Sequence, residues 1–484
     1  MTTHATRIGT PGPRPDFPGP WAVAESIRYE RSARRRGRLP AGWTNYSTRR
    51  TLRMRRDPLG LLLDGYARFG PIFGIRVMHD YSAIMLGPEA NHFVLVSGRD
   101  NFVWRHGRFG DLLTLLGDGL LTTDGDYHDA GRAIMLPAFH RDRIVAATEL
   151  MGEEASAAVD SLPGGGTVDL FSWQRALAMR IAMRGLFGLD PDGAHAADLV
   201  DAFERGLRFH EREFPLQVLI GPGTPWAKLK RARADLERLL GAEIRRRRNS
   251  ETAGEDILGS LLQSADQDGR ILSDRQVLDH VLTLLFAGHD TTTSTVTFLV
   301  YELTRRPEWQ RLLQAELDSV CGERPPSAEE LSGSLPLLTQ AIDETLRLYP
   351  PAWIGPRRAV CDFEFGGRFV PAGVSVAYSS WASHRLPDVF EAPDAFRPER
   401  FEPSERANWP RGAYVPFGQG PRVCIGKRFG YTEVHAVAAA LLQRYDLELE
   451  PGYQMQIRQM PTLSPKHGLP IRLRRRGRGL QATA

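Results

Sequence analysis

Apolar residues recur at three- and four-residue steps through 145–159, 173–187, 226–248 and 274–305, the spacing of a helix with one buried face. Helical patterns of this kind dominate from about 126 to 348. Shorter runs alternate instead. Segments 73–77 (Phe-Gly-Ile-Arg-Val) and 81–86 (Tyr-Ser-Ala-Ile-Met-Leu) flank the polar pair His79-Asp80 and predict a small hairpin-type sheet. Strand patterns return at 361–377 and near the carboxyl end, while the glycine- and proline-rich stretches 163–166 and 190–193 read as loops. The expected fold class is mainly α with a minor β-sheet region. One domain is expected over 41–475, between a flexible Pro- and Arg-rich segment 1–40 and a tail 476–484.

Composition narrows the class. The 484 residues are 42% hydrophobic and 25% charged, which excludes a disordered or collagen-like chain. The three cysteines, Cys321, Cys361 and Cys424, form no CxxC pair, too few for a disulfide scaffold or a structural zinc site. Residues 1–20 hold five prolines and no apolar run, so neither a signal peptide nor a membrane anchor is expected there. The longest apolar stretches, such as 280–288, fall short of the ~18 residues a spanning helix needs. A reduced, cytoplasmic protein is expected. The net charge is only +4, and the arginine clusters at 34–38, 49–56, 245–248 and 472–478 alternate with acidic segments. No basic stripe interleaved with aromatics is visible, so no nucleic-acid partner is expected.

Candidate chemistry centres on Cys424, which follows a glycine-rich loop and precedes a helical run. Gly420 and Gly426 allow close backbone approach, so amide N–H groups can point at the sulfur. The helix N-terminus and Arg422 add positive potential, favouring the thiolate that a soft-metal ligand requires. Glu344 and Arg347 lie three apart, on one face of a helix that Pro350-Pro351 ends. His128 and Arg132, four apart, likewise share a face. In 287–292, Gly288, Asp290, Thr291 and Thr292 interrupt an apolar run flanked by Leu284, Leu285, Phe286 and Phe298. Glycine is costly there and threonine hydroxyls compete for the carbonyls four residues back, which predicts a local bulge.

The spacing of Phe417, Gly420, Arg422, Cys424 and Gly426 resembles the haem-ligand signature of the cytochrome P450 family, Phe-x-x-Gly-x-Arg-x-Cys-x-Gly, at every specified position. Three more segments resemble family motifs in the family's order: Ala287-Gly288-His289-Asp290-Thr291-Thr292, Glu344-Thr-Leu-Arg347 and Pro398-Glu-Arg400-Phe401. The resemblance runs from about 100 to 470. It implies Cys424 as the axial iron ligand of haem b, with Ala287, Gly288, Phe417, Gly418, Arg422 and Gly426 around the cofactor. It implies propionate contacts from His128, Arg132 and either Arg357 or its neighbour Arg358, and a structural triad of Glu344, Arg347 and Arg400. Asp290 and Thr291 are implied as a proton relay, Thr291 nearest the oxygen, while His289 holds the family's variable position.

The implied reaction inserts one atom of dioxygen into a C–H bond of a lipophilic small molecule, a fatty acid or a terpenoid or steroid. By family position the pocket draws on Phe102, Trp104, Leu112, Leu113, Leu284, Phe286, Ala287, Trp353, Ile354, Met460 and Leu463, with Arg105 or Arg208 as a carboxylate anchor. No dinucleotide fingerprint is present, so electrons are expected from a ferredoxin or flavodoxin with an NAD(P)H-dependent reductase. Arg422, Lys427 and Arg428 offer a basic docking face for such a carrier. The alternatives are a non-catalytic haem sensor and peroxygenase-type use of the same site, and the acid–threonine pair argues against both.

Overall fold

The computed structural model describes residues 20–107, 112–212, 214–250, 254, 256–264 and 271–477. Most of the tail 476–484 and residues 1–19 of the segment 1–40 therefore lie outside the described residues, but 20–36 of that segment are helical.

Helices carry the frame: α1 (Pro20–Arg36), α2 (Gly125–Met135), α3 (Arg141–Asp160), α4 (Leu170–Ile181), α5 (Ala196–His210), α6 (Pro225–Arg248), α7 (Asp274–Thr304), α8 (Pro336–Leu348) and α9 (Lys427–Arg444). Those predicted from apolar periodicity appear as α3, α4, α6 and α7. The longest, α7, starts at a capping box in which the Ser273 and Gln276 side chains satisfy each other's backbone N–H groups. It packs on α4, α6, α8 and α9, so its middle lies at the centre of the apolar core. A buried ion pair from Arg233 of α6 to Asp279 fixes its first turns.

The expected bulge at 287–292 is absent. The helix runs unbroken, with the Thr291, Thr292 and Thr293 hydroxyls donating to the carbonyls of Ala287, Gly288 and His289 at 2.6, 2.7 and 2.7 Å without opening the ladder.

The strands form several small sheets. A six-stranded sheet runs in the order β1-β2-β3-β7-β6-β4, where β1 is Gly42–Trp43, β2 Ile72–Val77, β3 Asp80–Met85, β4 Phe102–Val103, β6 Gly355–Ala359 and β7 Ser375–Tyr378. The predicted hairpin is the antiparallel pair β2–β3. A second sheet joins β5 (Gly165–Asp169) to β8 (Tyr445–Leu449) and β9 (Pro470–Arg475). A short ribbon, Ile457–Arg458 with Ser464–Pro465, reaches back to α7, where the Ser294 hydroxyl donates to the Leu463 carbonyl.

Candidate active site

Between 277 and 300 every residue of α7 is buried except Ala287, Gly288 and Thr291. At 100° per residue these three share one face with Leu284, so the central helix opens a narrow window of small side chains at mid-length. α7 packs on α9, and the loop before α9 holds the candidate ligand. Its Cys424 N–H donates to the Phe417 carbonyl at 2.9 Å, and Gly418 and Gly420 adopt φ of 69° and 67°. A Cβ on Gly420 would lie 2.5 Å from the Leu95 carbonyl oxygen, so this position requires glycine twice over. Cys424 is accessible along one side although it lies deep in the fold. α9 then carries Gly430 against α7, where a Cβ would reach within 3.8 Å of Thr292.

Burial pushes the Cys424 thiol up, and the Gly426 N–H, Arg132 and Lys427 oppose it. Arg422 does not take the role expected of it at the sulfur. Its guanidinium donates to Asp124 Oδ1 at 3.0 Å and to the Thr123 carbonyl at 2.8 Å. Burial lowers Arg422 to about 10, with Arg357 and Arg132 adding repulsion. His128 is likewise lowered by burial, then by Arg422 and Arg132, although its Nδ1 lies 2.8 Å from Asp129. Arg132, Arg357 and Arg422 thus form a crowded cationic group suited to an anionic ligand, with the His128 imidazole beside them. Alternation along β6 places Arg358 elsewhere: it donates to the His106 and Gly373 carbonyls and covers Tyr29.

The Glu344–Arg347 pair is buried rather than a surface pair. Arg347 donates to Glu344 at 2.6 and 2.8 Å and to the carbonyls of His384, Pro393 and Ala395, which uses all five of its N–H groups. Arg400 Nε lies 3.4 Å from Glu344.

Asp290 and Thr291 are adjacent but face different neighbours. Thr291 lies in the window, while Asp290 Oδ1 lies 2.9 Å from His289 Nδ1 and 3.6 Å from Arg175 Nη2. Burial alone would raise the Asp290 carboxyl, but His289 and Arg175 outweigh it and hold it low. Arg175 also pairs with Glu204 and Glu211, and Arg458 with Glu211. Nothing in the sequence joined these residues, which come from α4, α5, the turn after it and the ribbon.

The expected pocket residues divide. Leu284 shares the window face. Ile354 and Met460 are half-buried, and Trp353 donates from Nε1 to the Gln459 carbonyl at 2.8 Å. Leu463 is held against α7 through its carbonyl. Trp104, Leu112 and Leu113 are buried. Phe286 points about 200° away from Leu284, into the core behind the window. Phe102 packs on Phe93 and Phe363 in the core of the six-stranded sheet. Arg105 is buried and pairs with Asp118 at 2.8 Å and with the Thr122 carbonyl at 3.1 Å, so it is not free to anchor a carboxylate. Arg208 is exposed.

Residues 51–472 match the family model Cytochrome P450. The chain is 34% identical to the cyclooctat-9-en-7-ol 5-monooxygenase of Streptomyces melanosporofaciens, over 83% of this chain and 88% of that enzyme. It is 28% identical to the pentalenene oxygenase of Streptomyces avermitilis, over 88% and 95%. Among solved structures it resembles retinoic-acid-bound cyanobacterial CYP120A1, with a TM-score of 0.80 and 28% identity over 90% of this chain and 99% of that one.

Proposed function

The chain belongs to the cytochrome P450 family and is a haem-thiolate monooxygenase; on that premise we propose that it hydroxylates a terpenoid-type skeleton with Cys424 as the thiolate that would hold the iron of haem b. The observation that carries this reading is an accessible cysteine beside Arg132, on which Arg357 and Arg422 converge, in the loop that leads into a helix packed on the small-residue window of α7. These residues fit the cofactor: a soft donor for iron, cations for two carboxylates, and small side chains at the α7 window.

When bound, haem supplies dioxygen activation, and its thiolate ligand pushes electron density that favours O–O cleavage. The rest falls to the chain. The Gly426 N–H, Arg132 and Lys427 stabilise the Cys424 thiolate. His128, Arg132, Arg357 and Arg422 are the residues that would hold the carboxylates. Ala287 and Gly288 leave space beside Thr291, whose hydroxyl hands on a proton that Asp290 supplies. Leu284, Ile354, Met460 and Leu463 exclude water and favour a lipophilic substrate. Lys427 and Arg428 are exposed at the start of α9 and form a docking face for an acidic electron carrier, a ferredoxin or flavodoxin served by an NAD(P)H-dependent reductase.

Two observations support a terpenoid over a fatty acid. The relatives above are named for oxygenation of cyclooctat-9-en-7-ol and pentalenene. Arg105, one of the two candidate carboxylate anchors, is committed to Asp118.

The test is a carbon monoxide difference spectrum of the reduced protein, wild type against Cys424→His, followed by titration with cyclic terpenes and with a saturated fatty acid. A strongly red-shifted Soret band in the wild type only, and a substrate-induced spin shift with the terpenes only, are expected. A histidine-type band in the wild type overturns the ligand assignment. A shift with the fatty acid alone overturns the substrate class.

A further inference from the structure

On the side of α7 away from the window, His289 makes two unequal contacts. Its Nε2 lies 3.1 Å from the Arg175 carbonyl oxygen, which can only accept, so Nε2 carries a hydrogen. Its Nδ1 is buried, lies 2.9 Å from Asp290 Oδ1 and has no well-aligned hydrogen-bond partner. A neutral imidazole would then hold an unprotonated nitrogen 2.9 Å from a carboxylate oxygen, a repulsive contact of two electron-rich atoms. A proton on Nδ1 turns it into an attractive one.

The surroundings ask for the same proton. Two guanidinium groups, Arg175 and Arg458, face three carboxylates, Glu204, Glu211 and Asp290. Glu204 Oε1 stands 3.7 Å from His289 Nε2, and the edge of Phe203 closes the fourth side. A charged imidazole neutralises this half-buried set, whereas a neutral one leaves it one positive charge short. The cluster also has an exit. A groove of about 500 Å³ lies over it, with His289, Arg175, Glu204, Glu211 and Arg458 in its lining and the exposed Asp169, Arg208, Lys466 and His467 at its outer edge.

The geometry points to His289 as a positioning residue that stores a proton for Asp290 and regains it from water in this groove. The inference rests on the relay assigned above to Asp290 and Thr291. In the step, the Nδ1–H bond breaks as an O–H bond forms on Asp290, which passes its proton towards Thr291. A groove water then returns one proton to the ring, and its hydroxide leaves to bulk buffer. One proton enters from the groove for each proton delivered.

The state of the ring can be read without turnover. Histidine-selective ¹⁵N NMR of the diamagnetic ferrous carbonyl holoenzyme, with His289 assigned by its loss in His289→Asn and again in His289→Gln, is expected to show both ring nitrogens protonated at neutral pH. A bare nitrogen in that signal overturns the proposal. In turnover, His289→Asn is expected to lower the rate about tenfold, to raise the solvent isotope effect and to shift the acid limb of the pH profile, since positioned proton donors contribute 10²-fold or more. Wild-type values in all three overturn it as well. Asp290→Asn separates the two readings: if it leaves coupling unchanged, the relay itself fails. If Asp290→Asn uncouples and His289→Asn does not, the relay stands and the role of His289 falls.

Discussion

Thr291 has two calls on its hydroxyl. It donates to the Ala287 carbonyl at 2.6 Å, yet it is one of the few α7 residues not buried in core. Thr291→Ala removes a back-bond of little value to the helix, so folding and haem content are expected to persist. Product formed per dioxygen consumed is expected to fall severalfold, measured with an oxygen electrode and product quantification. Unchanged coupling removes Thr291 from the relay. Arg347 is the opposite case, a residue with no chemistry and every donor engaged. Lysine carries its charge at a single point and cannot form the fork to Glu344. Arg347→Lys is therefore expected to cost about 3–5 kcal/mol, read from the urea midpoint, with loss of haem retention. Both sites were legible as spacings, Glu344 with Arg347 and the run 287–292. Their burial was not, because spacing names a helix face without saying what covers it. His289 was passed over for the same reason: its partners Arg175, Glu204 and Arg458 are distant in sequence and meet only in the fold.

At the scale of elements, periodicity located the long helices and the β2–β3 hairpin because both are local patterns. The bulge was misjudged because glycine and threonine penalties were weighed without the surrounding core, in which each hydroxyl finds a carbonyl on its own helix. Sheet order lay beyond local pattern altogether. The β3–β7 pairing joins Ser82 to Ser375, and β6–β7 pairs Arg357 with Val376 and Arg358 with Ser375. That register decides which of the two arginines turns towards Arg422. It is guarded by Gly355, where a Cβ would fall 2.1 Å from the Tyr378 ring. Gly355→Ala is expected to displace β6 and cost about 1–3 kcal/mol. If β6 positions Arg357 for a haem carboxylate, the substitution also weakens haem retention in a transfer assay to apomyoglobin. A stability loss with no change in retention detaches Arg357 from the cofactor.

At the scale of the whole molecule, stability must depend on pH through groups buried in their neutral forms. Burial lowers His280 and His435 from 6.5 to about 4 and His384 to about 3. His384 is locked in place, its Nε2 accepting from the Val415 N–H, so it has nowhere to put a second proton. Each of the three binds its proton more readily in the unfolded chain. Their stabilisation is complete above 6.5 and is lost as pH falls from there towards 4, at about 1.4 kcal/mol per pH unit for each. Glu433 on α9 works in the other direction: burial raises it from 4.5 to about 8. Its folded form holds the proton longer than the unfolded chain does, so its contribution is complete below 4.5 and declines as pH rises to about 8. Among these four groups, three histidine slopes outweigh one carboxyl slope between 4.5 and 6.5, and only that of Glu433 remains above 6.5. The downward shift of His128 adds to the acid side, and the upward shifts of Glu316 and Asp343 to the alkaline side. Thermal unfolding of the holoenzyme followed by circular dichroism is therefore expected to peak near pH 6.5, with a steep acid side and a shallow alkaline one. Glu433→Gln keeps the shape and removes the proton, so it is expected to flatten the alkaline side and leave the acid side unchanged. An alkaline decline that survives the substitution would assign it to groups other than Glu433.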